Sequence, residues 1–185
     1  LEEAHAVRDK GFDVVAGYIE PHTRADTMAL LDGLEQIPPL EVKHRGIKLR
    51  EFDLDAVLKR RPQIVLVDEF AHTNAPGSRH KKRYQDVEEL LRAGINVFTT
   101  VNVQHLEGLN DKIASITHVS VAERIPDRVF DEAASVELVD IEPDDLIERL
   151  EAGKIYLPSR AQTALANFFT QKNLAALREI ALRRM

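Results

Sequence analysis

The chain contains no cysteine, which rules out disulfides and thiolate metal sites and fits a reducing compartment. No apolar run approaches the ~18 residues that a membrane-spanning helix needs. Several catalytic signatures are missing as well. Without a Gly-x-Ser-x-Gly elbow, a serine hydrolase is not expected. Without a His-Glu-x-x-His pair, the seven histidines show no zinc-ligand spacing. The Gly-x-x-x-x-Gly-Lys-Ser/Thr loop that cradles phosphates is not found in the 185 residues either. Positive charge is in deficit: 25 Lys and Arg against 31 Asp and Glu leave a formal net charge of −6. A protein that coats nucleic acid is usually basic, so no direct nucleic-acid contact is expected.

What is present suffices for a packed domain. Hydrophobic residues make up 44% of the chain, enough for one sizeable α/β domain with a small appendage. The opening Leu1-Glu2-Glu3-Ala4-His5 has no N-cap before its helical stretch and reads as the tail of a helix that begins upstream. After Gly11, residues 12–19 read as a buried strand. Thr23-Arg24-Ala25-Asp26 forms a candidate capping box, with Met28, Leu31 and Leu34 along the helical face behind it. A short hairpin around Arg45-Gly46 and a helix from Asp53 to Arg60 come next.

Gln63-Ile64-Val65-Leu66-Val67 is a continuous apolar run, the pattern of a strand buried on both faces of a parallel sheet. Tyr84, Val87, Leu90 and Leu91 predict a helix stopped by Gly94; residues 95–101 predict a strand, and Leu106, Leu109, Ile113 and Ile116 another helix. The alternation predicts βα units and a mainly parallel sheet, in a three-layer αβα fold like that of P-loop NTPases. Residues 1–122 are expected to form that nucleotide-binding core without its first strand and phosphate loop. A short strand is expected at 118–121, and residues 123–185 are expected to form an extension packed on the core: a short strand at 136–141 and helices at 143–152, 161–169 and 174–184.

Ligands of open parallel sheets bind beyond the carboxyl ends of the strands. Three predicted strand ends carry polar groups: Glu20 and His22, Asp68 and Glu69, and Asn102, Gln104 and His105. Asp68 follows four apolar strand residues, the Walker B pattern, whose carboxylate holds Mg²⁺ through water. Glu69 is placed to orient a water, its candidate catalytic role. Without family knowledge, an ordinary strand ending in two solvated acids fits equally well. Arg79, His80, Lys81, Lys82 and Arg83 form a basic cluster that could meet phosphates or simply be solvated. His72 and His80 are candidate second-ligand or signalling residues, with Glu20 and His22.

Three stretches are more specific together than singly: residues 67–80 (Val-Asp-Glu-Phe-Ala-His-Thr-Asn-Ala-Pro-Gly-Ser-Arg-His), 83–91 and 99–111. They resemble signatures of KdpD-type osmosensitive potassium-channel sensor histidine kinases, and the resemblance runs from Gly17 to Glu179. It implies a cytoplasmic N-terminal sensor domain of a membrane-anchored bacterial two-component kinase, binding ATP and Mg²⁺ through Walker motifs, with Asp68 and Glu69 as the Walker B acids. Arg79, Asn102, Gln104 and His105 are then candidate nucleotide contacts. The implied partners are other domains of the parent kinase and a response regulator controlling potassium-uptake genes; no membrane contact is expected of these residues themselves. The kinase core's phosphoacceptor helix and glycine boxes are not in the sequence, so catalysis by this chain alone stays open. Two other roles remain: a small-molecule phosphotransferase or ATPase, and a module that docks other kinase domains.

Overall fold

The computed structural model describes residues 1–20, 25–152 and 169–185. These fall into two compact units, Leu1–Val101 and Asn102–Met185. The first opens with α1 (Glu2–Asp9), β1 (Val14–Tyr18), α2 (Ala25–Ala29) and β2 (Glu35–Gln36). There follow β3 (Leu40–His44), β4 (Ile47–Glu51), α3 (Leu54–Arg60), β5 (Ile64–Val67), α4 (Arg83–Arg92) and β6 (Asn96–Thr99). The main sheet has the order β2-β1-β5-β6 and all its pairs are parallel. The fold class is thus α/β with a mainly parallel sheet, as the alternating pattern predicts.

The two central strands explain their own composition. Every residue of β1 and of β5 is buried, so both faces must be apolar. On one face Val14, Ala16, Ile64 and Leu66 pack with Ala4, Leu31 and Leu34. The other face carries Val15, Val65 and Val67. Between Ala16 and Tyr18 the register slips by one residue, so that Tyr18 rather than Gly17 stands opposite Val67. Gly17 makes this close approach feasible. A Cβ there would lie 2.6 Å from Val65 Cγ2 and 3.0 Å from Phe52 Cε2.

Local signals set the connections. Arg45 (φ 49°) and Gly46 (φ 80°) turn β3 into β4 with His44 opposite Ile47, the paired left-handed residues of a two-residue hairpin. Asp53 caps α3 by accepting from Ala56 N at 2.9 Å. The helix ends at left-handed Arg61, just before Pro62. In α4 the buried face is Arg83, Asp86, Val87 and Leu90, while Leu91 is 54% exposed. The predicted helix is present, but Leu91 is not on its core face. Met28 is likewise exposed, whereas Leu31 and Leu34 are buried.

The second unit holds two 3-10 turns (Val103–His105 and Glu107–Leu109), α5 (Asn110–Thr117), α6 (Asp127–Asp131), α7 (Pro143–Glu151) and α8 (Gln171–Arg184). Ile113, Leu177 and Ile180 form its core with Val103, Leu109 and Ile116. The expected strands at 118–121 and 136–141 do not form. Val119, Val136 and Val139 are exposed, and no described strand pairs with either stretch. Ion pairs tether the second stretch instead: Arg178 binds Asp140 at 2.6 Å and Glu142 at 2.9 Å. Alternating valines are no strand signal without a neighbouring strand to satisfy the backbone. The capping residue Thr23 and the helix expected at 161–169, Phe169 apart, lie outside the described residues.

Gly17→Ala tests the bulge. The added methyl has no room against β5, so the unfolding free energy should fall by about 1–3 kcal/mol. Urea denaturation measures this, and an unchanged midpoint would refute the close approach.

Candidate functional site

Chain order and sheet order diverge beside β1. From β1 the chain moves outward to β2, then crosses to the other side of β1 for β5 and β6. Such reversals leave a crevice beyond the carboxyl ends of the strands. Glu20 leaves β1 and Asp68 leaves β5 at that edge.

Asp68 is held from both flanking strands. Its N–H donates to Tyr18 O at 2.9 Å. The Thr100 hydroxyl, at the end of β6, donates to Asp68 Oδ1. Glu20 N–H lies 3.4 Å from Asp68 Oδ2. Glu69 follows in the left-handed region, at φ 58°. A β-carbon makes that conformation costly, by about 1–2 kcal/mol. Two bonds hold the turn: Phe70 N to Thr100 O at 3.2 Å and His72 N to Glu69 O at 3.0 Å.

Behind the strand ends lies a buried charge network. Arg83, the first residue of α4, has 0% exposure. Its Nη1 donates to the Asp68 carbonyl at 3.2 Å and its Nη2 to Glu51 Oε2 at 3.1 Å. The guanidinium stacks 4.2 Å from the centre of the Tyr18 ring. Glu51 Oε1 also accepts from Ala75 N at 2.9 Å and faces His72 Nε2 at 3.2 Å. Burial alone would raise the Glu51 pKa; His72, Arg83 and the Ala75 N–H outweigh it, and the net shift is downward. Tyr18 donates its hydroxyl to Glu20 Oε2 at 2.7 Å. Burial first, and that carboxylate second, push its phenol well above the usual range.

The basic cluster is divided among several tasks. Arg79 binds Glu89 at 2.6 Å and also Asp55. His80 Nε2 lies 2.6 Å from Glu89 Oε2. Lys82 donates to Thr73 Oγ1 at 2.7 Å and to Ala71 O at 3.3 Å. Asn74 donates to Asp86 at 2.6 Å; burial raises the Asp86 pKa, and the Asn74 bond opposes the rise.

Of the residues expected at the site, Glu20, Asp68 and Glu69 lie at one sheet edge, and His72 faces Glu51 behind it. Asn102, Gln104 and His105 belong to the second unit, where Asn102 precedes a 3-10 turn and His105 Nδ1 lies 2.8 Å from Glu123 O. His22 lies outside the described residues. Thr100, Tyr18 and Glu51 were not singled out by sequence. Thr100 had a signal: it directly follows the strand next to the one that delivers Asp68.

Among the described residues, no three His, Asp or Glu side chains gather as a metal cluster. At the end of β5 the Asp68 carboxylate stands beside the Thr100 hydroxyl. That suits Mg²⁺, which keeps most of its waters and uses one or two carboxylates plus phosphate oxygens.

The family profile described as the osmosensitive K+ channel His kinase sensor domain, KdpD, matches residues 1–185. The chain belongs to this family. It is 60% identical over 184 residues to a sensor protein KdpD of Clostridium acetobutylicum, covering 100% of this chain and 20% of that protein. With the sensor protein KdpD of Escherichia coli it shares 55% over 184 residues, covering 100% of this chain and 21% of the relative. A putative sensor protein KdpD of Synechocystis is 52% identical over 183 residues, covering 99% of this chain and 50% of that protein. The chain thus spans about a fifth of the length of the first two relatives. Its family is that of a sensor domain, and these relatives are named as sensor proteins. No helix among its described residues is long and apolar enough to cross a membrane.

Two outcomes test the site's construction. The lowered Glu51 pKa means that its contribution to stability is complete above the unfolded value and is lost as pH falls through the folded one. Thermal unfolding from pH 7 down to pH 3 should therefore show an acid-side loss that Glu51→Gln reduces; identical pH profiles would contradict the network. Glu69→Gly should leave stability equal or raise it by up to about 1 kcal/mol, and Glu69→Val should lower it by a similar amount. Equal melting of the two variants would show that the left-handed turn is not a constraint.

Proposed function

We propose that the chain is part of a P-loop NTPase-like, regulatory ATP site in a sensor histidine kinase that controls potassium-uptake genes. The observation that carries this reading is Asp68. It ends a wholly buried central strand at the point where strand order reverses, and Thr100 and Glu20 hold its carboxylate there. Asp68 would hold Mg²⁺ through water, with the Thr100 hydroxyl fixing the carboxylate's orientation. The ion would neutralise phosphate charge. The glycine-rich phosphate loop that this reading requires is not among the 185 residues. Nucleotide occupancy would then bias a conformation read by the other kinase domains and, through them, by the response regulator.

A phosphotransferase reading has one observation in its favour. Glu69 is held in a costly conformation directly after the metal-site acid, and strained residues concentrate at functional sites. In this reading Glu69 orients an acceptor hydroxyl or water.

The parent kinase distinguishes the two. Asp68→Ala should weaken Mg²⁺–ATP binding at least about tenfold, equivalent to ~1.4 kcal/mol, and leave metal-free ATP binding unchanged. Calorimetry checks both, and equal Mg²⁺–ATP affinities would remove the metal role. Multiple turnover that Glu69→Gln abolishes would favour the phosphotransferase over the regulatory site.

A further inference from the structure

The hairpin of β3 and β4 stands apart from the main sheet as a two-stranded sheet of its own. Its register sorts the side chains onto two faces. Leu40, Val42, Ile47 and Leu49 share one face with His44 and Glu51, while Glu41, Lys43, Lys48 and Arg50 share the other. Lys43 and Lys48 are direct cross-strand partners, and like charges so placed weaken a hairpin. Arg45 adds a cation at the turn. From Val42 to Arg50 there is no acid, although the chain as a whole carries −6. Glu41 offsets Lys48 at 2.9 Å, but both partners are largely exposed, and such pairs are worth little. On the apolar face Leu40 is 46% and Ile47 64% exposed. Among the described residues, neither outer edge of the hairpin pairs with another strand.

We propose that this hairpin is a docking arm for an extended acidic peptide of a partner protein, which adds to it as a third strand. Two strands alone are marginal in water, and a third strand strengthens them. An added strand also alternates its side chains. Its acids meet Lys43, Lys48 and Arg50 while its aliphatic residues cover the face of Leu40, Val42, Ile47 and Leu49. A flat lipid surface meets one face only, and here the cations and the aliphatic residues lie on opposite faces. Nucleic acid finds no Phe, Tyr or Trp on the hairpin to stack on. The lysines repel a second copy of the same edge, which selects against self-pairing and for an acidic strand.

The 185-residue chain is titrated with a fluorescent peptide of alternating glutamate and valine, and anisotropy is read. Binding should saturate, weaken on the order of tenfold with Lys43→Glu/Lys48→Glu, and fall with added salt. That variant exchanges one like-charge pair for another and loses the Glu41–Lys48 ion pair, so its fold is checked by circular dichroism; Lys43→Gln/Lys48→Gln, which removes the repulsion, supplies a second case and should weaken binding less. The same peptide N-methylated at alternate residues should lose binding, because strand addition needs its backbone N–H groups while charge attraction does not. Absence of binding, equal binding by the charge variants, or equal binding by the N-methylated peptide overturns the proposal. So does engagement of phosphatidylglycerol vesicles or single-stranded DNA in place of the peptide. No arm contains nucleotide, so the result is independent of the ATP reading.

Discussion

A buried guanidinium organises the strand ends. Arg83 has no exposure, yet it meets the Asp68 carbonyl, the Glu51 carboxylate and the Tyr18 ring. Desolvating such a charge is expensive, and a buried pair gains little over an apolar replacement. Its consequence is positional. The start of α4, the end of β4, the end of β5 and the end of β1 are tied to one planar group, which cannot turn without breaking several contacts. Removing either charge strands the other in the interior, a loss of about 3–5 kcal/mol.

The loop between β5 and α4 takes its course from this centre. Glu51 fixes it at Ala75 and faces His72. Thr73 bridges to Lys82, and Asn74 bonds Asp86. The loop therefore returns to the point where it began, and Glu69 is held in its left-handed turn at the foot of it. Glu51 is also the last residue of β4. The β3–β4 hairpin and the loop that follows Asp68 thus share one carboxylate.

Local patterns were legible in the sequence, and long-range partnerships were not. The run at 64–67, the Arg45-Gly46 turn and the Asp53 cap each rest on neighbouring residues, and each is present in the structure. The strand ends at Glu20 and Asp68 could be placed together because parallel βα units align them. Arg83 was read only as one member of a basic cluster, because nothing local shows that Glu51, 32 residues away, neutralises it. Valines at 119, 136 and 139 suggested strands, but a strand is defined by its neighbour, and Arg178 holds Asp140 and Glu142 instead. Leu91 matched the helical period, yet α4 turns Arg83 and Asp86 inward in its place.

The division of charge also bears on the ATP reading. Arg83 is matched by Glu51 and turns to the carbonyl of Asp68 rather than its carboxylate. Arg79 is shared by Asp55 and Glu89. Among the described residues, the partners of the Asp68 carboxylate are a hydroxyl and a backbone N–H, both uncharged. Neutral donors orient a carboxylate without cancelling its charge, so the charge stays available to a cation from outside the protein. In the proposed ATP site that cation would be a hydrated Mg²⁺, which a carboxylate and a polyphosphate can share.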